Sequence, residues 1–325
     1  SAMGKVAPEM TVGDLKGGAN HIIISGSDPR GSNYIHYEWP AGGTGASDGT
    51  DGSNAVRSYN EGDFNSIQSV EMVEAQFPLR IERCEIRESA CGDGEFRGGF
   101  GLRRDVKILG EAGALSVLSE KNVIPPYGVE GGSNGAANSF TVIRDGEVTQ
   151  PSPVPGKVSG FPLKTGDIVR EETAGGGGYG DPLKRDPELV RADVAEGYLS
   201  VGDAAQRYGV ILTESGIDAA ATREKRAELN QVRISVAVEL SNEEMTDGPR
   251  RQFLVPKSLA TALKVAEGDL IEVVTGRGSP LRAWARLGEG GDNLVVSASS
   301  MDILGVAPGD QVGVRAARPH PETYA

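Results

Sequence analysis

His36-Tyr37-Glu38 places an imidazole and a carboxylate two residues apart in Tyr34-Ile-His-Tyr-Glu-Trp39, whose β-branched and aromatic residues predict a strand. Residues i and i+2 of a strand share a face, so this pair could exchange a proton or share a metal ion. His21 opens a second strand-like run, His21-Ile-Ile-Ile-Ser25, and Asp28 follows it, so a ligand set of His21, His36, Glu38 and Asp28 is conceivable. Hydrogen-bonded histidines within a sheet account for the same residues more simply. The remaining histidine, His320, lies in a proline-flanked terminus. Cys84 could be a nucleophile only if the fold brought a histidine to it; within a strand-like run it reads as a small buried hydrophobe. There is no His-Glu-x-x-His, no cysteine pair at zinc spacing and no Gly-x-Ser-x-Gly elbow. The residues alone supply no complete catalytic set, which argues against a free-standing enzyme.

Two glycine-rich stretches could bring backbone close to a ligand. Glu172-Thr-Ala-Gly-Gly-Gly-Gly-Tyr-Gly-Asp-Pro182 precedes a helix pattern that opens at Asp186-Pro187. Such a segment can take positive φ and approach other groups closely, and a bare backbone leading into a helix can cradle an anion. The phosphate-loop reading fails, because no Lys-Ser or Lys-Thr stands at the required offset and the helix starts too late. A tight packing or subunit-contact loop fits better. The second stretch, Pro40 to Asn54, carries glycines at 42, 43, 45, 49 and 52 and reads as a flexible, substrate-facing loop. Asp48 and Asp51 lack the alternating ligands and closing Glu of a calcium loop.

The 325 residues imply two domains, or one large domain with an appendage. The 46 glycines and 5% aromatics favour turns and close backbone contacts over a thick aromatic core. A formal charge of −13 opposes a nucleic-acid surface, and one Arg-Gly-Gly at 97–99 does not reverse that. Arg80, Arg83, Arg87, Arg97, Arg103 and Arg104 alternate with Glu82, Glu85, Glu88 and Asp105, the pattern of a salt-bridged surface or interface. No apolar run approaches the ~20 residues of a membrane span. The first residues, Ser-Ala-Met-Gly, lack the regions of a signal peptide. With two cysteines, Cys84 and Cys91, read as free thiols, the expected location is the cytoplasm.

The expected fold class is α+β: mostly β up to about residue 180, helical from 186 to 232, then a small β-barrel-like domain. Ser139-Phe-Thr-Val-Ile143 reads as a strand and Arg144-Asp-Gly-Glu147 as a hairpin turn. In Leu79-Arg-Ile-Glu-Arg-Cys-Glu-Ile86 the apolar alternation slips by one residue, which a bulge near Arg83 explains. Asp186 caps a helix with Pro187 at its first position. Ser200 with Asp203 forms a capping box for a second helix that Gly209 ends. Asp218 to Val232 is dominated by charge and reads as a linker helix. Beyond 234, Leu263-Lys-Val-Ala-Glu-Gly-Asp-Leu-Ile-Glu-Val273 repeats as Leu304-Gly-Val-Ala-Pro-Gly-Asp-Gln-Val-Gly-Val314. This duplicated unit resembles double-psi or swapped-hairpin barrels and is read as an assembly module or lid. The boundaries are 1–212, a helical linker 213–233, and a barrel-like domain 234–325.

Five blocks occur in a fixed order: Ala41-Gly-Gly-Thr-Gly-Ala46, Val73 to Arg83, Gly94-Glu-Phe-Arg-Gly-Gly-Phe-Gly-Leu-Arg-Arg104, Gly175-Gly-Gly-Gly-Tyr-Gly-Asp-Pro182 and Gly197 to Val210. Together, over roughly 10–212, they resemble the C-terminal half of the hydantoinase B/oxoprolinase family. The resemblance implies a B-type component of an ATP-dependent enzyme. Its partners would be a hydantoinase A-like ATPase subunit, which holds ATP and Mg, and the N-terminal half of the B-type subunit, which is missing here. A divalent metal would sit in that half or in a partner chain, with no cofactor assigned to this chain. The implied reaction is hydrolysis of a cyclic amide such as a hydantoin, oxoproline or lactam. Where hydantoinase-like members carry His-x-His-Met-Thr-Asn after the glycine loop, this chain reads Val56-Arg-Ser-Tyr-Asn-Glu-Gly-Asp. That loss of imidazoles raises the standing of a ketone carboxylase, and a non-catalytic scaffold is a third reading. The residues expected near the active cavity are His36, Glu38, Arg57, Tyr59 and Asn60, with Gly42, Gly43 and Gly45 as a substrate loop.

Overall fold

The computed structural model describes residues 7–56, 68–230, 234–247, 250–275, 281–288 and 291–316. Its first part is a sandwich of two antiparallel sheets. One holds β1 (His21–Ser27), β2 (Asn33–Glu38), β5 (Ala112–Leu118) and β8 (Lys157–Lys164) in the order β2-β1-β5-β8. The other holds β3 (Leu79–Ile86), β4 (Leu102–Ile108), β6 (Ser139–Arg144), β7 (Glu147–Thr149) and β9 (Ile168–Glu172) in the order β3-β4-β9-β6-β7. Alternation along each strand sends Ile22, Ile24, Leu115 and Val117 from one sheet against Val106, Ile108, Val142 and Val169 from the other. Helix α1 (Val70–Gln76), capped by Ser69, adds Val73 to this core. The slip in β3 is a bulge: its pairing with β4 shifts register between Ile81 and Arg83. Asp145 and Gly146 both take positive φ, and Arg144 pairs with Glu147 across the β6–β7 turn.

The glycine-rich segments form a second interior made of backbone. A Cβ added at Gly175, Gly176, Gly177 or Gly178 would lie 2.0, 1.8, 1.9 or 2.0 Å from the carbonyl oxygens of Ala90, Thr44, Tyr127 and Asp93. Gly175 and Gly178 face the same neighbouring segment, while Gly176 and Gly177 face two others. Contacts that recur every third residue identify an extended segment with three residues per turn, enclosed by other segments of the same chain. Close approach, rather than positive φ, is what demands glycine at these four positions; within the run positive φ appears only at Gly180. The amides are occupied: Gly176 N–H donates to Gly99, Gly177 N–H to Asp14 and Gly178 N–H to Ser133. They form no phosphate cradle.

Helices α2 (Pro187–Ala195) and α3 (Val201–Arg207) pack on this stack through Val190 and Ala204, joined by Leu199 between them and Tyr208 after α3, against Cys91 and Phe100. Asp186 and Ser200 cap them, each accepting a backbone N–H through its side chain. A two-strand ribbon, β10 (Leu212–Thr213) and β11 (Gly216–Ile217), leads to α4 (Ala219–Asn230). The charged helix α4 is tied down rather than free: Arg226 donates to the carbonyls of Arg185 at 2.6 Å and Tyr208 at 3.1 Å.

The C-terminal part closes into a six-stranded barrel. Its strands are β12 (Ile234–Leu240), β14 (Arg250–Pro256), β15 (Leu270–Val274), β16 (Leu281–Gly288), β17 (Leu294–Val296) and β18 (Gln311–Ala316). They run β14-β16-β15-β18-β12-β17, and β17 returns to β14 through Leu254 and Val295. The short strand β13 (Thr246–Asp247) pairs outside β14. The internal repeat appears as two equivalent turns after α5 (Lys257–Leu263) and α6 (Ala298–Leu304). In one, Asp269 accepts from Ala266 N–H and Gly268 N–H donates to Ala285. In the other, Asp310 accepts from Ala307 N–H and Gly309 N–H donates to Val238.

Candidate functional site

The alternation of β2 turns Tyr34, His36 and Glu38 into the sandwich, while Ile35 and Tyr37 point out. Across the core, β4 turns Arg104 inward along with Leu102, Val106 and Ile108, and β9 turns Glu171 inward along with Val169. Arg104 and Glu171 are register partners. The result is a charged cluster inside an apolar sandwich: His36 and Arg104 are 0% exposed, Glu171 1% and Glu38 4%.

Arg104 holds the centre. Its Nη1 donates to Glu38 Oε1 at 2.6 Å and its Nη2 to the carbonyl of Gln68 at 3.2 Å. Gln68 N–H donates in turn to Glu38 Oε1 at 3.2 Å. One ion pair therefore grips both backbone groups of the residue that leads into α1. His36 Nε2 stands 3.4 Å from Glu38 Oε2, and its ring packs on Phe77 with centroids 5.1 Å apart.

Several polar atoms here have no hydrogen-bond partner: both ring nitrogens of His36, Glu38 Oε2, Arg104 Nε and both carboxyl oxygens of Glu171. A buried carboxylate without donors is costly to ionise. Burial, reinforced by the charge of Glu38 and opposed by Arg104, pushes the Glu171 carboxyl up to about 8. Burial also works to raise Glu38, but His36 and Arg104 outweigh it and hold that carboxyl below the ordinary range. Two acids of one type are thus driven apart, one ionised and one neutral at pH 7.

Of the predicted residues, His36 and Glu38 come together, both buried in the sandwich. Gly42, Gly43 and Gly45 lie in the backbone stack: Gly43 N–H donates to Ala174, and a Cβ there would stand 2.0 Å from Gly99 O. Around these glycines the 40–54 stretch is packed backbone rather than a loose loop, while its tip at Asp48, Gly49 and Thr50 is exposed. Arg57, Tyr59, Asn60 and His320 lie outside the described residues. The four-residue metal set does not assemble: His21 faces outward, against Tyr37 and Trp39, and Asp28 is bonded to Arg30. Among the described residues no group of three His, Cys, Asp or Glu is placed to hold a metal, so this donor set does not fit a divalent ion.

Asp51 is taken by Arg185, at 2.7 and 2.8 Å. Arg185 shares Asp193 with Arg97, at 2.9 and 3.0 Å, which fastens α2 to the glycine stack. The arginine series accordingly divides. Arg80, Arg83 and Arg103 pair with Glu82, Glu85 and Asp105 on the outer face, whereas Arg87, Arg97 and Arg104 are buried. Cys84 is exposed rather than a buried hydrophobe, because β3 is an edge strand whose inner side opens at the sandwich margin. Arg104 and Glu171 were missed, though Leu102-Arg-Arg-Asp-Val-Lys-Ile108 did hold a signal. Its alternation puts Arg104 in step with Leu102, Val106 and Ile108.

A family model for hydantoinase B/oxoprolinase matches residues 1–182. A Pseudomonas sp. (strain NS671) protein named as the B-type component of a D-/L-hydantoinase is 31% identical over 227 residues, 69% of this chain and 37% of its own length. The caprolactamase beta chain of Pseudomonas jessenii is 32% identical over 239 residues, 70% of this chain and 40% of its own. The crystal structure of the ATP-dependent caprolactamase from Pseudomonas jessenii matches at TM-score 0.58 and 28% identity, covering 70% of this chain and 40% of that one. The chain spans well under half the length of these relatives.

Proposed function

Because the chain belongs to the hydantoinase B/oxoprolinase family, we propose that it is part of the B-type component of an ATP-dependent complex that hydrolyses a cyclic amide. The observation that carries this reading is its likeness to the caprolactamase beta chain in sequence and to ATP-dependent caprolactamase in fold. A lactam or hydantoin resists water because amide resonance stabilises it. Coupling to ATP supplies the driving force, provided the activated species meets water only in a controlled cavity.

In this reading ATP and Mg bind a hydantoinase A-like partner, and any divalent metal belongs to polypeptide beyond this chain. The chain works with those parts in the cytoplasm, where ATP is supplied, and is inactive without them. Among the described residues no helix is long and apolar enough to cross a membrane. His36, Glu38, Arg104 and Glu171 enter as positioning residues, since their burial keeps them from substrate. Gly42, Gly43 and Gly45 hold the backbone frame, and Arg57, Tyr59 and Asn60 are the candidates for substrate contact.

The test is to co-express the chain with an A-like ATPase subunit and the remainder of a B-type subunit, then follow phosphate release from ATP. Caprolactam, 5-oxoproline or hydantoin should stimulate release, and the chain alone should release none. Release with acetone and bicarbonate but with no cyclic amide would replace the hydrolase by a carboxylase. Turnover by the isolated chain would overturn the divided machine.

A further inference from the structure

The two outer faces of the sandwich are built to opposite rules. Strands β3, β4 and β9 present charge: Arg80 pairs with Glu82, and Arg103 and Arg170 both pair with Asp105 at 3.0 Å. That face satisfies its own charges with ion pairs. On β1, β2 and β5 no outward position carries Asp, Glu, Lys or Arg, in a chain that is 24% charged. Instead Ile35 is 68% exposed, Leu118 56%, Tyr37 47% and Ile23 36%. The register makes these side chains one patch: Ile23 sits opposite Tyr37 and Ser116, and His21 opposite Leu118.

The patch also carries an ordered aromatic group. His21 stacks on Tyr37 with centroids 5.8 Å apart and 10° between planes, and its Nδ1 is hydrogen-bonded to the Tyr37 hydroxyl. Trp39 packs edge-on to both rings. Among the described residues strand β2 is the edge of its sheet, and the exposed Lys157 and Lys164 of β8 mark the far side. Depletion of charge with aromatics held in place marks the centre of a protein interface rather than a free surface, and an uncovered apolar edge strand is a site for unwanted pairing.

We infer that the outer face of β1, β2 and β5 is the seat of the remainder of the B-type subunit, docked through an uncharged surface of its own. This rests on the reading given above and names the surface at which it operates. The related caprolactamase beta chain is covered by this chain over 40% of its length; in the proposed reading the remaining length needs a surface to pack on, and this uncharged face suits it. The partner's matching surface is apolar and hydroxyl-bearing, because a charged residue set against this face would be desolvated with nothing to pair it.

The experiment co-expresses the affinity-tagged chain with the remainder of the B-type subunit and measures the stoichiometry of co-purification. Ile35→Lys should lower recovery more than ~10-fold, while Arg80→Ala on the charged face leaves it unchanged. The thermal midpoint of the isolated chain should move by no more than about 2 °C in either variant, since both side chains are exposed. If the wild type binds and Ile35→Lys binds equally, the docking surface is wrong and the family reading stands. If the wild type fails to bind at all, the proposed function falls and the inference with it. A wild-type dimer in sedimentation that Ile35→Lys turns into monomer, with co-purification intact, would assign the face to a second copy and overturn the inference.

Discussion

Replacing Glu171 by Gln isolates the buried acid. Its folded carboxyl titrates at about 8 against 4.5 for an ordinary one, because it is buried beside Glu38 with no donor to its oxygens. A carboxyl raised on folding stabilises the fold fully below the unfolded value, and that contribution is lost as pH climbs toward the folded value. Between pH 4.5 and about 8, at about 1.4 kcal/mol per pH unit, the loss amounts to roughly 5 kcal/mol. Glu38 acts in the opposite window: its carboxyl is held down, so its contribution is present above the ordinary value and lost in acid. Gln keeps the shape of a neutral carboxyl and cannot ionise. The assay is urea unfolding from pH 5 to 9 followed by Trp39 fluorescence, with Trp284→Phe silencing the barrel's tryptophan. Wild type should lose stability steadily toward pH 8, and Glu171→Gln should lack that decline, becoming the more stable protein in mild alkali. Parallel profiles for the two proteins would refute a neutral Glu171.

Packing and exposure set three more outcomes. Gly176→Ala sets a methyl 1.8 Å from Thr44 O among backbone that cannot retreat, so the soluble folded yield should collapse. Gly202→Ala in α3 has only Ser200 Oγ within 4 Å, at 3.6 Å, and should stabilise the chain by about 0.5–1 kcal/mol in thermal unfolding. A thiol-reactive dye should label one cysteine of the native chain, Cys84, and both after denaturation. Cys91 is 0% exposed and its thiol is pushed up to about 12 by burial, whereas Cys84 is exposed. Rapid native labelling of Cys91 would show that the glycine stack opens.

What the sequence revealed was local. The bulge at Arg83, the Asp145-Gly146 turn, the Asp186-Pro187 cap and the Gly-Asp repeat are each written within a dozen residues, and each formed. What it concealed depends on distant chain. In Ile168-Val-Arg-Glu-Glu172 nothing in the letters sets Glu171 apart from Glu172, and only the approach of β2 makes Glu171 a buried acid. The same holds for Gly42, Gly43 and Gly45: a glycine that is loose in a loop and one walled in by carbonyls are identical as letters. Arg104 lies between these cases, since its alternation with Leu102 and Val106 was present but the flanking Arg103 and Asp105 masked it.

The glycine stack bears on where chemistry can occur. An interior held by amide–carbonyl pairs at 2.7–3.1 Å leaves no room for side chains and so none for a ligand. Its contribution is shape: segments 13–16, 42–46, 90–101, 127–136 and 174–179 are fixed against one another without a thick aromatic core. Such a frame suits a component whose reacting groups arrive on other polypeptide, because catalytic geometry must be held to a fraction of an ångström by supports that do not repack. The buried pair of Arg104 and Glu38 adds to that frame by fixing Gln68, just ahead of α1, against the sandwich. Breaking that pair would leave an uncompensated charge in an apolar core, a cost of about 3–5 kcal/mol. In the proposed reading a cluster buried this completely is a support for chemistry that lies beyond it.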